Sequence, residues 1–456
     1  MGEPKNRKVC QEFLEEFVCE AKQLEKNGVT VAGKTFQFSI HSFICDAPAR
    51  SLIKSTKCHS GYSACDRCTQ KGEWHGKIVY PLNLEVPLRT DASFREMNDS
   101  EHHHGPSPLN QLNVGLVTQV CLDYMHLVCL GVTRRLILSW MRGPLVCRVS
   151  GQCVSQLSAT LVSLRSCIPC EFARKPRALA EIDRWKATEF RQFLLYTGPV
   201  VLKGCLHDSF YNHFLLLYVG IYLCLSPDLC KQYAEYAREL LKLFVQHASK
   251  LYGVDILVYN VHCLIHLVDD VLRFGSLDNV SAFPFENHMR IFKKLIRGPS
   301  SPLKQIIGRI SEQETVSITE CVRSSLNLKK VHNLGPLPGD WGSMQSILQY
   351  GSLKLHSVTF KTNRKDGYAC LASGDICLLR NIVEHGKQVS IVYQRFMTKK
   401  PFFEYPLQSS DIGILLISDL SVVLESASVC DLVKKYVCMK YQDSTAVVAV
   451  PLAHVE

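Results

Sequence analysis

In the first part of the chain, hydrophobic residues recur first at helical spacing and then at every second position. Apolar residues recur at helical spacing over residues 10–26, with acidic residues and lysines between them, which predicts an amphipathic helix. Residues 36–40 alternate between apolar and polar and lead into the apolar run 43–45, which predicts a strand that ends on Asp46. We therefore expect a helix and then a strand before the first loop-rich region.

The middle of the chain has the density of apolar residues expected of a buried helical bundle. Residues 47–110 are rich in glycine, proline and histidine, which indicates loops. From about residue 111 to 275 the pattern becomes helical, and runs such as Phe193 to Tyr196 and Phe214 to Leu217 are too apolar for surface helices. A further helix is predicted from Phe285 to Ile296, where a Gly-Pro pair ends it.

The C-terminal part of the chain changes period again. Beyond about residue 355, short β-branched and aromatic runs alternate with turns, which is typical of a small all-β domain. We therefore predict a partial α/β core, a large all-α insertion and a C-terminal all-β domain. The predicted boundaries are 1–80 for the core with its loop, 81–275 for the insertion, 276–330 for a returning core helix, 331–354 for a linker and 355–456 for the β domain.

Composition narrows the class of protein without defining its function. The 456-residue chain is 46% hydrophobic and 21% charged, as in ordinary globular proteins. The N-terminal residues contain no apolar signal region, and no stretch reaches the ~18 consecutive apolar residues of a membrane span. We expect a soluble intracellular protein without a membrane partner, whose 21 cysteines are reduced and either buried or metal-bound.

A pair of cysteines gives the clearest chemical signal. Cys65 and Cys68 lie in a predicted loop, where a two-residue gap lets both thiolates reach one tetrahedral metal ion. His262 and His266 are four residues apart in an apolar helical segment, so their imidazoles lie on one face of the helix. Together the four residues predict a Cys2His2 site for structural zinc, assembled from remote segments.

Other assignments are compatible with the spacing. His59 and His75 lie in the same loop as the cysteines and can close a local tetrahedron with them. The two helical histidines can also be hydrogen-bonded core residues without a metal. A second CxxC motif, from Cys167 to Cys170, lacks the strand-then-helix context of thiol-redox proteins, so no redox role is predicted for it.

Four blocks of sequence, taken in order, carry a family resemblance. They are Ile44 to Arg50, Gly61 to Cys68, Leu122 to Leu127 and Phe283 to Asn287. Together they resemble the transposase of CACTA (En/Spm-like) DNA elements over about residues 10–330. The layout is also similar to the catalytic core of Transib-type transposases and the V(D)J recombinase. The resemblance implies a partial RNase H-like core and a DNA-associated, nuclear protein.

The order of motifs in these transposases bears on the zinc ligands. In that group an aspartate ends the fourth strand of the RNase H fold, a CxxC follows, and a histidine pair precedes the catalytic glutamate after a helical insertion. Here Cys65 lies 19 residues after Asp46, and Glu286 lies 20 residues after His266. The resemblance therefore favours the ligand set from remote segments over the local set.

The resemblance also implies a catalytic role for two carboxylates. Asp46 matches the second and Glu286 the third of three metal-binding carboxylates, which hold Mg²⁺ or Mn²⁺ in two-metal DNA cleavage. No aspartate precedes Asp46, so the strand that should carry the first carboxylate is missing. We expect an N-terminally truncated and inactive enzyme, unless a segment upstream of Met1 or a second chain completes the site.

Basic residues share one face of the predicted glutamate helix. They are Arg290, Lys293, Lys294 and Arg297. The opposite face is expected in the core and carries Phe285, Met289, Phe292 and Ile296. With a formal net charge of +10 for the whole chain, the basic face predicts contacts with DNA phosphates. The simpler alternative is a solvated face with an exposed ion pair between Glu286 and Arg290.

These observations predict a transposon-derived nuclear protein that binds DNA non-specifically, holds structural zinc and does not cleave DNA by itself. A homo-oligomer is compatible with such an origin. The first alternative is an active metal-dependent transposase or nuclease that is completed by an upstream segment. The second is a protein-interaction module without DNA binding.

Overall fold

The structure is a computed structural model that describes residues 3–314, 326–339, 341, 347–386, 388–442 and 445–454. The α-helices are α1 Glu3–Asn27, α2 Ala47–Lys54, α3 Asp91–Arg95, α4 Arg134–Arg142, α5 Gly151–Ser163, α6 Ala187–Gln192, α7 Gly198–Leu202, α8 Asp208–Leu225, α9 Ala234–Tyr252, α10 Tyr259–His262, α11 Leu267–Phe274, α12 Phe283–Leu295 and α13 Pro302–Glu314. The strands are β1 Val29–Val31, β2 Lys34–Phe36, β3 Phe43–Cys45, β4 Glu73–Trp74, β5 Ile78–Val79, β6 Val120–Leu122, β7 Leu326–His332, β8 Ile347–Leu355, β9 Val358–Lys361, β10 Tyr368–Leu371, β11 Ile376–His385, β12 Gln388–Pro401, β13 Leu415–Leu420, β14 Glu425–Ser428, β15 Leu432–Lys440 and β16 Val447–Pro451. The predicted mixture of helices and strands is therefore confirmed.

Two compact units divide the chain differently from the predicted domains. Residues 1–151 and 207–283 form the first unit, and residues 152–206 and 284–456 form the second. The predicted helical insertion 81–275 is therefore not one domain, because its part from 152 to 206 belongs with the C-terminal sheet. Apolar periodicity finds helices but cannot say which neighbours they pack against, so this boundary was wrong.

Helix α1 packs one face on the core of the first unit. Cys10, Leu14, Val18 and Ala21 recur at helical spacing and are all less than 10% exposed. Phe13 extends the predicted apolar face but is 78% exposed. The buried stripe is therefore narrower than the sequence pattern suggests.

A parallel pair of strands positions Asp46. Strand β3 pairs with β6 in the register Phe43 to Val120, and this pairing needs the long connection that includes α2. Asp46 follows β3 directly and caps α2, since its Oδ1 accepts a hydrogen bond of 2.7 Å from the amide of Ala49. Only the last part of the predicted strand, Phe43–Cys45, is present, because residues 37–42 form no strand, and its end at Asp46 is fixed by the next helix.

Helices α8 and α9 form the most apolar part of the first unit. The residues from Phe214 to Leu225 are all buried, as their density of apolar side chains predicts. His213 lies among them, where its Nε2 donates a 2.8 Å hydrogen bond to the carbonyl of Phe244. Its ring also stacks on the Phe244 ring, with centroids 4.2 Å apart. Burial lowers the pKa of His213 to about 4.

His213 is expected to destabilise the folded protein in acid. Because its folded pKa of about 4 lies below the ordinary value of 6.5, the unfolded chain binds more protons between these two pH values. The free energy of unfolding should therefore fall as the pH falls from 6.5 to 4, by at most about 3 kcal/mol from this residue. Urea unfolding of wild type and His213→Gln across this range measures the effect, since glutamine keeps a donor but does not titrate. Equal pH dependence in the two proteins would contradict it.

The second unit contains an antiparallel sheet whose pairings close into a ring. The ring follows the order β12, β13, β16, β15, β10 and β11, and β11 then pairs with β12. Strand β14 extends from β12, while β8 pairs with β11 and carries β7 and β9. Strands within the ring have neighbours on both edges, which leaves few open edges for aggregation.

Part of the predicted linker belongs to this sheet. Strands β7 and β8 pair from Leu326 with Leu355 to His332 with Gln349, so residues 331–332 and 347–354 are sheet strands. The prediction of a linker over 331–354 was wrong for these residues, and positions 340 and 342–346 lie outside the described ones. Glycines and prolines in the segment suggested a linker, but the apolar residues of β8 pair with β11.

Helix α12 contains Glu286 and confirms the helix predicted there. The apolar residues of its predicted core face do not lie in the core. Phe285 and Met289, expected in the core, are 59% and 53% exposed, and Phe292 and Ile296 are half-buried. The described residues leave Phe285 and Met289 exposed and bury the rest of the predicted apolar face only in part, although periodicity alone required a partner for it. The prediction that this face lies in the core was therefore wrong.

Candidate metal centre

The two residues between the paired cysteines fix the loop that carries them. Asp66 accepts hydrogen bonds from Arg50 Nε at 2.8 Å and from Lys54 Nζ at 2.6 Å. Both cations belong to α2, and all three side chains are buried. Because α2 begins at the end of β3, these ion pairs attach the loop from Cys65 to Cys68 to the parallel strand pair.

Arg67 attaches the other side of the same loop. Its Nη2 donates to both carboxylate oxygens of Asp270, at 2.8 and 2.9 Å, and to the carbonyl of Val120 at 3.0 Å. A further bond runs from its Nη1 to the carbonyl of Val117. Asp270 also accepts a 2.7 Å hydrogen bond from the amide of Leu122. One buried ion pair thus joins the loop, β6 and α11.

The residues that contact this loop from the facing segment recur at helical spacing. These residues are Tyr259, His262, His266 and Asp270. The Tyr259 hydroxyl donates to Asp66 at 3.1 Å, and Asp270 binds Arg67. The two histidines lie between these contacts, so each end of the pair is held in place by a hydrogen bond to the loop.

The four predicted ligands come together at this point. Cys65 Sγ lies 3.5 Å from Cys68 Sγ, and Cys68 Sγ lies 3.4 Å from Nε2 of His262. One ligand atom from each of these residues and His266 lies within 4.8 Å of the others. Metal bonds of about 2.0–2.3 Å in a tetrahedron separate the ligand atoms by roughly 3.4–3.8 Å. The observed separations therefore fit one tetrahedral ion.

Buried polar atoms at this centre lack a hydrogen-bond partner among the described residues, and a metal ion would provide a bond for them. Cys65 and His262 are fully buried, and Cys68 and His266 are 3% and 4% exposed. Among the described residues, Nε2 of His266 has no hydrogen-bond partner. A buried polar atom without a partner costs about 1–3 kcal/mol, and a coordinate bond from a metal would remove that cost. The residues present therefore fit a bound metal ion.

The pKa values of the three buried thiols at this centre are shifted in different directions. Burial opposes ionisation of Cys65, but hydrogen bonds from Cys263 and Cys68 and the nearby imidazoles hold its pKa well below the ordinary thiol value. The hydrogen bond with Cys65 raises the pKa of Cys68, and burial raises that of Cys263. The thiolate is the form that binds metal, and the charge of a bound ion would favour ionisation of both Cys65 and Cys68.

The local pair of histidines lies apart from this cluster. His59 is exposed, with its Nδ1 3.1 Å from the Cys58 thiol, and His75 is exposed beside Glu73 at 3.7 Å. Neither histidine belongs to the groups of close ligand atoms among the described residues. The geometry thus supports the set that includes His262 and His266.

A second group of close ligand atoms lies in the second unit. It contains Cys170, Glu171 and Asp366. The buried ammonium of Lys435 donates to Glu171 at 2.7 Å and to Asp366 at 3.1 Å, and Lys361 donates to Asp366 at 3.1 Å. The two carboxylates are already neutralised by lysines, so this group is an ion-pair network that attaches the CxxC segment near residue 170 to β9 and β15.

The predicted catalytic and DNA-binding residues occupy less enclosed positions. Asp46 is half-buried in the first unit, and Glu286 is exposed in the second. The basic residues are all exposed: Arg290, Lys293 and Lys294 lie on α12, and Arg297 lies two residues after its end. Asp123, which follows β6 as Asp46 follows β3, is buried and accepts hydrogen bonds from the amides of Met125 and Ala282 and from the His126 ring.

The supporting ion pairs were missed by the sequence reasoning. Arg50, Lys54 and Arg67 are buried cations, and Asp66 and Asp270 are buried carboxylates that neutralise them. One signal was available in the sequence. Asp270 lies four residues after His266 in an apolar helical segment, and a charge there requires a buried partner.

A cavity gives access to the centre from one side. It has a volume of about 230 Å³, and Cys68, His266 and Asp269 are among the residues that line it. The other two ligands, Cys65 and His262, are absent from its lining. An ion can therefore reach the centre along the side of Cys68 and His266.

A family model matches part of the chain outside the metal centre. Residues 331–452 match the family model of a domain of unknown function, DUF8592. This range begins in β7 and covers the closed sheet of the second unit. No curated protein and no solved structure matches the chain. Among the described residues, none of the helices combines the length and hydropathy that crossing a membrane requires.

Proposed function

We propose that Cys65, Cys68, His262 and His266 bind one structural zinc ion. Two thiolates and two imidazoles are the donors that zinc takes in closed tetrahedral sites, and four protein ligands leave no position for a substrate. The ion would then join the loop after α2 to the helical segment before α11. Its role is to stabilise the first unit rather than to activate water.

We further propose that the chain derives from a DNA transposase and keeps part of an RNase H-like core. The observation that carries this proposal is the meeting of Cys68 with His262, 194 residues apart, in the ligand set that the transposase resemblance implies. Spacing within the chain had left this set and the local one equally allowed. Close approach of the remote set supports the family layout that selected it.

The strand pair beside the metal centre supports the same origin. Strand β3 ends at Asp46, is followed by a helix and pairs in parallel with β6, which is an α/β arrangement. Among the described strands, β3 pairs with β6 alone. The resemblance places further strands of the core at its second edge, including the one with the first catalytic carboxylate.

Non-specific DNA binding is the activity that we assign to this protein. Arg290, Lys293 and Lys294 are exposed on α12 and Arg297 is exposed just after it, so phosphates can reach them without a rearrangement of the fold. Contacts of this kind bind the backbone and do not select a sequence. We infer a protein that acts in the nucleus and needs another segment, with Mg²⁺ or Mn²⁺, before Asp46 and Glu286 can take part in cleavage.

The salt dependence of DNA affinity tests this proposal. Each phosphate contact contributes about −0.9 to the slope of log K against log salt concentration on duplex DNA. The double variant Lys293→Gln/Lys294→Gln should therefore weaken binding to a random duplex and reduce the slope by about 2. Fluorescence anisotropy at several salt concentrations measures both quantities.

A matched pair of lysines provides the control. Lys231 and Lys250 are exposed in the first unit, so Lys231→Gln/Lys250→Gln removes the same charge from a different surface. The control should keep the wild-type slope. Equal slopes for all three proteins, or no binding at low salt, would show that α12 does not bind DNA and would leave the interaction-module alternative.

A further inference from the structure

A basic cavity lies in the first unit, formed by residues around α4. Its volume is about 670 Å³, within the range of roughly 300–1,000 Å³ that small-molecule sites occupy. Four cations line it: Lys77, Arg134, Arg135 and Arg142. Asp255 is the one carboxylate in the lining, so the cavity carries a clear excess of positive charge.

Two of the cations at the cavity wall affect each other. The ammonium of Lys77 lies 3.7 Å from a carboxylate oxygen of Asp255, yet burial and the charge of Arg135 still hold its pKa below the ordinary value. Burial also lowers the pKa of the Arg135 guanidinium. Like charges held together in a partly dehydrated cavity repel, and an anion bound between them would relieve this repulsion.

Arg135 is held with part of its guanidinium available. Its Nη2 donates to the backbone carbonyl of Asp255 at 2.5 Å, which fixes the side chain against the opposite wall. Arg135 lines the cavity and is only half-buried, so its guanidinium can contact a ligand there. A guanidinium matches the geometry of phosphate oxygens.

The backbone next to these cations has an unusual form. A π-helix, Met125–Thr133, runs directly into α4, and π-helical turns are rare and often lie at functional sites. Gly131 lines the cavity within this turn, and any side chain at that position would collide with the amide of Asn260. The close approach of the two segments thus shapes the wall from which Arg134 and Arg135 follow.

We propose that this cavity binds a small molecule with a chain of phosphates, such as a nucleoside triphosphate. Three or more negative charges on one ligand balance the excess of cations. Apolar side chains of Leu130, Leu138 and Ile256 also line the cavity and would contact an organic group next to the phosphates. The cavity is concave, which suits a compact ligand better than the convex backbone of a DNA duplex.

Titration calorimetry on the full chain with bound zinc tests the proposal. Inorganic tripolyphosphate and adenosine triphosphate are the probes, and sodium sulfate at equal ionic strength is the control for general screening. We expect one binding site per chain, with Kd raised at least tenfold in Lys77→Gln and in Arg135→Gln. A lower Kd for the nucleotide than for tripolyphosphate would assign the apolar wall to the nucleoside.

The matched variant Lys231→Gln/Lys250→Gln should bind tripolyphosphate as the wild type does. Lys77 is half-exposed, so its replacement leaves the fold intact, and zinc content with circular dichroism confirms this for both variants. Equal affinity in Lys77→Gln, Arg135→Gln and wild type would overturn the proposal. So would equal heats with sulfate, or a duplex that binds in place of tripolyphosphate and is lost in the same variants.

Discussion

Replacing Cys65 with serine is expected to abolish stoichiometric zinc binding and to destabilise the first unit. The change removes the thiol with the lowered pKa and leaves three ligands around a buried centre. Zinc at a hundredfold to a thousandfold excess over its Kd stabilises the state that binds it by about 3–4 kcal/mol, and this contribution should vanish. Metal analysis of the purified protein and urea unfolding with and without a chelator measure the two effects.

A buried cysteine away from the centre provides the control. Its replacement by serine also buries a hydroxyl, so this cost can be distinguished from the effect of losing the metal. Cys224 lies in α8 and is fully buried, so Cys224→Ser makes the same chemical change away from the centre. It should keep one zinc per chain. His266→Ala should lose zinc, whereas His59→Ala should retain it. The opposite result for the two histidines would assign the metal to the local loop.

The Asp66→Asn variant is expected to destabilise the first unit by about 3–5 kcal/mol. Its carboxylate is the counter-charge for Arg50 at 2.8 Å and Lys54 at 2.6 Å, which are 2% and 0% exposed. Asparagine keeps the shape but leaves both cations without a neutralising charge, and a broken buried ion pair costs far more than an exposed one. Unfolding in urea at neutral pH, with zinc in excess, measures the change.

An exposed carboxylate near the same loop provides the comparison. Glu73 lies 3.7 Å from His75 at the surface, and Glu73→Gln should change stability by less than about 1 kcal/mol. The Asp66→Asn variant should still hold one zinc when the metal is in excess, with affinity reduced about 10–100-fold, as expected when a support of the ligands is lost. Similar stability of the two variants would mean that Asp66 does not support the loop.

Periodicity predicted the elements of this fold better than their contacts. It located the helix that begins before Cys10, the strand that ends at Asp46 and the helix that carries Glu286. Each of these signals is local, because the side chains of one element alone determine it. Which unit an element joins depends on distant side chains, and so the division of residues 81–275 between two units was not predictable from local patterns.

The candidate site shows the same contrast between local and remote information. Spacing within the chain identified Cys65 and Cys68 but allowed either histidine pair. The family resemblance favoured His262 and His266, and these are the histidines that the structure brings to the cysteines. The ion pairs of Asp66 and Asp270 could not be found in this way, since burial of a charge is decided by partners that lie far away in sequence.

The exposed apolar face of α12 marks the limit of reasoning from one helix. An apolar stripe on a helix predicts that another element packs against it, and Phe285 and Met289 belong to such a stripe in the sequence. Which element packs on a helix depends on side chains that lie far away in sequence. The described residues leave Phe285 and Met289 exposed, so the apolar stripe could be predicted from the sequence but its burial could not.

The sequence separation of 194 residues from Cys68 to His262 also sets the order of events during synthesis. A ribosome that adds about 5–20 residues each second needs roughly 10–40 s to pass from one to the other. For that interval the two cysteines exist without their histidines, and two thiols near in sequence can be oxidised or take up the wrong metal. The proposed zinc centre would therefore depend on a reducing environment for the nascent chain and on metal supply after residue 266 has emerged.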